Sequence, residues 1–266
     1  MSELRIYVEG IGVWSPQLAD FAALRSWLQG TPSPAPAARP PAATLPANER
    51  RRAPESVLLA IEVAGQAVAM SGRDAATLAC VFGSAFGDLS ITDYMCQTLA
   101  QTPAELSPTR FHNSVHNAPA GYWTIATGCH APSSAVCAWH DTVGAGLLEA
   151  AAMALADERP VLFVCGDVAA AGPLAPITGS AQAFGCAFVV TPEVSPRSIA
   201  ALSLRTVPQH GGMPRGRSAL PAAWYEGNAT ANAALPLLAV LAGHNRHCQM
   251  AAAGKLGLEI VMENVA

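Results

Sequence analysis

Short unbroken apolar runs alternate along the chain with longer segments whose apolar positions recur at helical spacing. The clearest case lies between Gly121 and Asp167. It predicts a short apolar strand whose last run is AVCA, a tight turn at Trp139 to Asp141, and a helix over Val143 to Ala156. A polar loop and the strand VLFVCGD follow. The helix carries one charge, Glu149, which implies burial on most sides. Its small residues, Gly144, Ala145, Gly146 and Ala150 to Ala152, let other backbones approach closely. VLFVCGD is apolar at consecutive positions, as in a strand covered on both faces.

The rest of the chain reads around this stretch. ELRIYVEG predicts a strand over residues 3–10, closed by the glycine-rich GIGVWSP, and residues 17–30 predict a short helix ending at Gly30. Residues 31–48, rich in Pro and Ala, predict an extended surface loop or a partly disordered one. Val57, Leu58, Ile61, Val63 and Ala64 give a helix over 53–70 with Gly72 beyond its end. TLACVFG is a buried strand opening into the loop GSAFGD, followed by a helix from Ile91 to Gln101 and a loop over 102–120. After Asp167 come a loop, the apolar strand AFGCAFVVT, a mixed stretch over 194–227, a helix from Asn232 to Ala242 and the closing strand KLGLEIVME. Strands alternating with helices predict an α/β layered fold.

Composition sharpens the picture. Of 266 residues 51% are apolar and only 13% charged, about half the usual ~25%. A chain with so few charges to cover its surface points to a large interface with a partner, the alternative being a weakly soluble monomer. The net charge is −4 and the one basic cluster is Arg50 to Arg52, a solvated helix start, so nucleic-acid binding has no electrostatic support. The N-terminal MSELRIYVEG lacks the basic-then-apolar pattern of a signal peptide, and no window reaches the ~18–20 uncharged apolar residues of a membrane span. Seven scattered cysteines, an odd number with Cys80, Cys165 and Cys186 inside apolar segments, fit reduced thiols in a cytoplasmic protein.

Several residues invite chemistry. His112 and His116 stand four apart beside Asn113 and Asn117, but Pro108 and Pro119 bracket them and no third ligand has a metal-site spacing, so no metal is expected. Cys129 and His130 sit together in a tight turn. His140-Asp141 reads two ways: a general base oriented by its neighbour, or a helix start at which Asp141 caps backbone N–H groups. Ser133 and Ser134 lack a nucleophile-elbow setting, and Gly83, Ser84 and Gly87 form a turn with neither a P-loop lysine nor a dinucleotide fingerprint.

At GIGVWSP, VFGSAFGD, GCHAPS (Gly128 to Ser133), VLFVCGD and GCAFVVT (Gly185 to Thr191), in that order, the chain resembles β-ketoacyl synthases of the thiolase superfamily. GCHAPS is similar to that family's G-x-x-G-P-S turn, with Ala131 in place of the second glycine. The resemblance implies a thiolase-like layered fold (αβαβα) with its N-terminal half, residues 1–191, complete. Residues 192–266 would be a truncated remnant of the second half. In those enzymes six residues separate the serine from the reactive cysteine. Here the residue in that place is His140. Cys137 would shorten the spacing by three and reads instead as a buried strand residue. HNRHC, His244 to Cys248, supplies histidines in no setting that matches the family's second half.

A missing nucleophile in a shortened chain resembles the chain-length factors, and FHNSVHNAPAGYWTIATG is similar to short synthase-like proteins of aryl polyene and xanthomonadin pigment pathways. The resemblance implies a non-catalytic subunit, without cofactor, that pairs with a complete ketosynthase and shapes its acyl tunnel. An acyl carrier protein would be a further partner. His112, Asn113, His116, Asn117, Tyr122, Trp123, Trp139 and His140 are the interface and tunnel candidates. The alternative is a stand-alone acyl-transfer or thioester-hydrolysing enzyme with His140 as its base.

Overall fold

The computed structural model describes residues 3–31, 36–209 and 220–265. Residues 32–35 of the Pro/Ala-rich segment and 210–219 of the C-terminal segment therefore lie outside the description. In chain order the elements are β1 (Glu3–Trp14), α1 (Phe21–Leu28), α2 (Ala47–Arg52), α3 (Glu55–Ser71), β2 (Ala79–Gly83), α4 (Leu89–Gln101), α5 (Pro108–Asn113) and α6 (Ala118–Thr127). There follow β3 (Ser133–Val136), α7 (Thr142–Ala156), β4 (Val161–Asp167), α8 (Leu174–Thr178) and β5 (Phe184–Thr191). The C-terminal segment adds β6 (Ala200–Pro208), α9 (Ala222–Tyr225), α10 (Ala229–Leu241), β7 (His247–Ala253) and β8 (Leu256–Glu263).

The eight strands make one sheet in the order β3-β2-β4-β5-β1-β6-β8-β7. β2 pairs in parallel with β3 and β4, and the remaining pairings are antiparallel. The central strands β4 and β5 are buried almost throughout, as their unbroken apolar runs require. One face carries α3 and α6 over a core that includes Leu59, Ile61, Val63, Leu162 and Val189. The other carries α1, α7 and α10 over Ile11, Leu147, Phe163, Phe188, Leu235 and Leu238. Helix α3 lies so close on β1 that a Cβ at Gly12 would collide with the Val63 carbonyl.

The α/β layering is the expected one, with helices on both faces of the sheet. The C-terminal segment does not form a sheet of its own. Its strands extend the β1 edge, and α10 covers only one face of them. On β7, Cys248, Met250 and Ala252 are buried while His247 and Gln249 are exposed. A ladder of charges lies across these strands: Arg205 Nε donates to Glu259 Oε2 at 2.8 Å, and His247 Nε2 stands 3.4 Å from Glu259 Oε1. An antiparallel end with a charged face needs no second layer.

The structure corrects several local expectations. The loop predicted over 102–120 contains α5 and leads into α6, because Pro108 and Pro119 occupy first-turn positions where a missing N–H costs nothing. The Pro/Ala-rich segment is not a free surface loop where it is described: Ala42 and Leu45 are buried, and Ala42 N–H donates to Glu62 Oε2 at 2.7 Å. Arg50 to Arg52 end a helix of their own, α2, with α3 starting at Glu55. Strands β6 and β7 have no counterpart in the sequence reading. Among the described residues, no helix is long and apolar enough to cross a membrane.

Candidate functional site

Strand β3 ends at Val136, and after two intervening residues the chain makes a one-turn 3-10 helix, Trp139–Asp141, that runs into α7. Trp139 takes a left-handed φ of 56°, which is strained for a residue with a Cβ. Thr142 staples the turn. Its hydroxyl accepts from Ala138 N–H at 3.0 Å and donates to the Trp139 carbonyl at 2.6 Å. Small residues let the helix head sit deep: a Cβ at Gly144 would collide with the backbone carbonyl of Ala251 on β7.

The Asp141 side chain does not cap α7, although Asp141 holds the N-cap position. Its Oδ2 turns instead to accept from Gly254 N–H at 3.2 Å, tying the turn to the β7–β8 hairpin. Thr142 already closes the turn, which frees the carboxylate for that contact. No hydrogen bond joins His140 to Asp141 among the described residues, so the imidazole lacks the orienting partner that a general base uses.

His140 is held by rings. Phe86, Trp139 and His140 pack edge to face, with centroids 5.1 Å (Phe86–Trp139), 5.6 Å (Phe86–His140) and 5.5 Å (Trp139–His140) apart. Phe86 belongs to the loop after β2, and that loop hangs from the buried Asp167. Asp167 Oδ1 accepts from Ser84 Oγ at 2.7 Å and from the N–H groups of Ala85 and Phe86 at 2.9 and 3.2 Å. Its Oδ2 accepts from Thr230 Oγ1 at 2.5 Å. On the loop's other side, His116 Nε2 lies 2.9 Å from the Ser84 carbonyl.

Beside His140 and Asp141 opens a cavity of about 460 Å³. Its other walls are Tyr225, Asn228 and Asn232 around the start of α10, and Gln249 and Met250 on β7. The C-terminal segment thus supplies much of the lining. Asn228 anchors it: the side-chain Oδ1 accepts from Ala231 N–H at 2.9 Å, and Nδ2 donates to the carbonyls of Asp167 and Gln182 at 3.0 and 2.8 Å. Asn228 and Thr230 escaped the sequence reading. The signal was there in GNATAN, an N-cap residue before an apolar helical run.

The thiols offer no substitute nucleophile inside this site. Cys137 is exposed and lies beyond the end of β3, correcting its reading as a buried strand residue. Its Sγ donates to the Ala85 carbonyl at 3.4 Å. Burial pushes Cys80 and Cys248 up to about 12, and raises Cys165 and Cys186 further. These are inert packing residues.

The eight interface and tunnel candidates separate in space. His116, Trp139 and His140 meet through the Ser84–Phe86 loop. Asn113 is 5% exposed and Trp123 1%, the latter in the core under α3; Tyr122 bridges toward them by donating to Asn113 Oδ1 at 3.2 Å. His112 and Asn117 are exposed, and among the described residues neither side chain makes a hydrogen bond or ring contact with the others. Apolar surface clusters on the same part of the sequence: Phe111, Val115, Ile125 and Trp139 are all exposed, and β3 is an edge strand with only β2 beside it. Among the described residues no three His, Cys, Asp or Glu side chains gather as a metal site. His247 is engaged with Glu259, and neither it nor His244 lines the cavity.

Known proteins place this geometry. The sequence model described as beta-ketoacyl synthase, N-terminal domain, matches residues 25–255. A comparison with curated proteins returns no match. Among solved structures, the chain is similar to a chain of the ketosynthase (ApeO) in complex with its chain length factor (ApeC) from Xenorhabdus doucetiae. The TM-score is 0.70 at 22% identity, over 97% of this chain and 99% of that one. It is similar to a chain of the ishigamide ketosynthase/chain length factor, with a TM-score of 0.72 at 14% identity over 98% and 99%. A third likeness is to the AntDE:AntF complex, a type II acyl-carrier protein with its ketosynthase. Its TM-score is 0.61 at 17% identity, over 78% of this chain and 70% of that one. The fold is therefore thiolase-like, and the match over most of the chain shows that it belongs to the β-ketoacyl synthase N-terminal-domain family.

Proposed function

We propose that this chain is a non-catalytic, ketosynthase-like subunit of the chain-length-factor type. It pairs with a complete ketosynthase and forms part of the wall of its acyl tunnel in polyene-type polyketide synthesis. One observation carries the reading: at the head of α7, where the spacing from Ser133 sets the nucleophile position, stands His140 inside an aromatic cluster. An imidazole there cannot hold an acyl thioester, and the exposed Cys137 sits outside the helix start. The partner supplies the thiolate and the decarboxylating residues. The unpaired β3 edge, the exposed Phe111, Val115, Ile125 and Trp139, and the low charge content support a large contact surface. Two of the similar solved complexes pair a ketosynthase with a chain length factor, and a third holds an acyl-carrier protein with its ketosynthase, which fits a carrier protein as a further partner of the assembled pair.

The test is co-expression with a complete ketosynthase from the same genome, only one of the two tagged, followed by co-purification and measurement of product length. The expected result is 1:1 recovery, condensation lost without this chain, and condensation retained in His140→Ala. Thioester turnover by the lone chain that disappears in His140→Ala would instead establish a stand-alone enzyme with His140 as its base.

A further inference from the structure

A second cleft, of about 450 Å³, opens on the α3–α6 side of the molecule between the end of α2, the start of α4 and α5. Two arginines from distant parts of the sequence, Arg52 and Arg110, line it together with Ser90, Thr109 and Asn113. Among the described residues neither arginine forms an ion pair, whereas Arg5, Arg73, Arg159 and Arg205 each meet a carboxylate.

Arg110 is nevertheless held. Its guanidinium lies 3.9 Å from the centroid of the Tyr94 ring. The ring in turn is fixed through its hydroxyl, which accepts from Ser107 N–H at 3.1 Å and reaches the Glu105 carbonyl at 3.4 Å. Stacking on a ring face orients a guanidinium without consuming its N–H donors. Asn113 adds a donor at the cleft wall. It is 5% exposed, its Oδ1 is taken by the Tyr122 hydroxyl, and its amide N–H groups have no partner among the described residues. Two carboxylates share the walls. Asp88 is already engaged, Oδ1 by Ile91 N–H at 2.9 Å and Oδ2 by Ser56 Oγ at 2.8 Å, so its oxygens are turned to their own donors and the N–H groups of the two arginines are left for a ligand.

We propose that this cleft binds a phosphoryl group, gripped by Arg52 and Arg110 with the Asn113 amide at its base. Two guanidinium forks, hydroxyls and an amide donor approaching from separate elements match a tetrahedral ion with several acceptor oxygens better than a planar carboxylate. The site is distinct from the His140 cavity, with which it shares no lining residue, and does not rest on the role proposed for His140.

Calorimetric titration of the full chain with inorganic phosphate, at ionic strength held constant with chloride, tests it. Glycerol phosphate and acetate are run in parallel. Saturable phosphate binding is expected, weakened about tenfold or more in Arg110→Ala and in Arg52→Ala, with Arg110→Lys between wild type and Arg110→Ala. Both arginines are exposed, so the variants should keep the wild-type circular dichroism and thermal midpoint. Tighter binding of glycerol phosphate than of phosphate would mark an esterified ligand, and equal binding the free ion; either supports the site. Absence of saturation, acetate binding as well as phosphate, or binding unchanged in the Arg52→Ala/Arg110→Ala double variant would overturn it.

Discussion

Thr230 donates its hydroxyl to Asp167 at 2.5 Å, across a buried junction between the C-terminal helix α10 and the end of β4. The same carboxylate holds the loop that carries Phe86 against His140. The position of His140 is thus set by residues that lie far from it in sequence. Replacing Asp167 with Ala leaves the Ser84 and Thr230 hydroxyls and two backbone N–H groups without their acceptor. A loss of about 3 kcal/mol is expected in urea unfolding, against about 1 kcal/mol for Thr230→Val, which removes one donor.

The close approach of α7 to β7 makes a second prediction. Gly144→Ala puts a methyl group into the Ala251 carbonyl and should destabilise by about 2 kcal/mol. Gly121→Ala is the matched control. It too lies in a helix, but nothing surrounds the new Cβ, so a gain of about 0.5–1 kcal/mol is expected from the stiffer unfolded chain. Thermal midpoints moving in the same direction would contradict the packing.

Acid should act through Glu9. Burial pushes its carboxyl up, but hydrogen bonds from Arg73 and Ser195 and the charges of Arg73 and Arg197 outweigh this and hold it below the ordinary value of 4.5. A group depressed in the folded state stabilises fully above its unfolded value, and that contribution is lost as pH falls through the folded one. Urea midpoints measured downward from about pH 5 should fall in the wild type and fall less steeply in Glu9→Gln. Arg73→Ala strands a buried carboxylate and should cost about 3 kcal/mol at neutral pH.

Thiol labelling reads the core directly. Of seven cysteines only Cys96 and Cys137 are exposed. A disulfide reagent at pH 8 should therefore modify two thiols quickly and all seven after unfolding. Cys96→Ser and Cys137→Ser should each remove one fast equivalent.

Much of the fold was legible because its core elements obey a single local pattern. The α3 stripe with Gly72 at its end, the small-residue helix α7 and the apolar strands β4 and β5 all stand close to where periodicity puts them. The misses share a cause. In β7, HCQMAAA alternates only through small or sulfur-containing side chains, and β6 sits in a stretch of mixed polarity, so neither announces itself before its partners are in place. Helix α6 was hidden by prolines that begin helices rather than break them. His140 was found by spacing. Its surroundings were not, because Phe86, Asp167 and Thr230 come together only through the sheet order.

That sheet order also sets a timetable. The first strand made, β1, ends between β5 and β6, and β5 begins roughly 170 residues after β1 is complete. At about 5–20 residues per second, the nascent chain waits on the order of ten to thirty seconds with its most apolar N-terminal segment unpaired. Helices α1 and α3, made soon after it, can lie on its two faces, but the backbone edges that β5 and β6 will fill stay open. Through most of its own synthesis the chain thus carries an open strand edge, the kind of surface on which a nascent chain pairs wrongly.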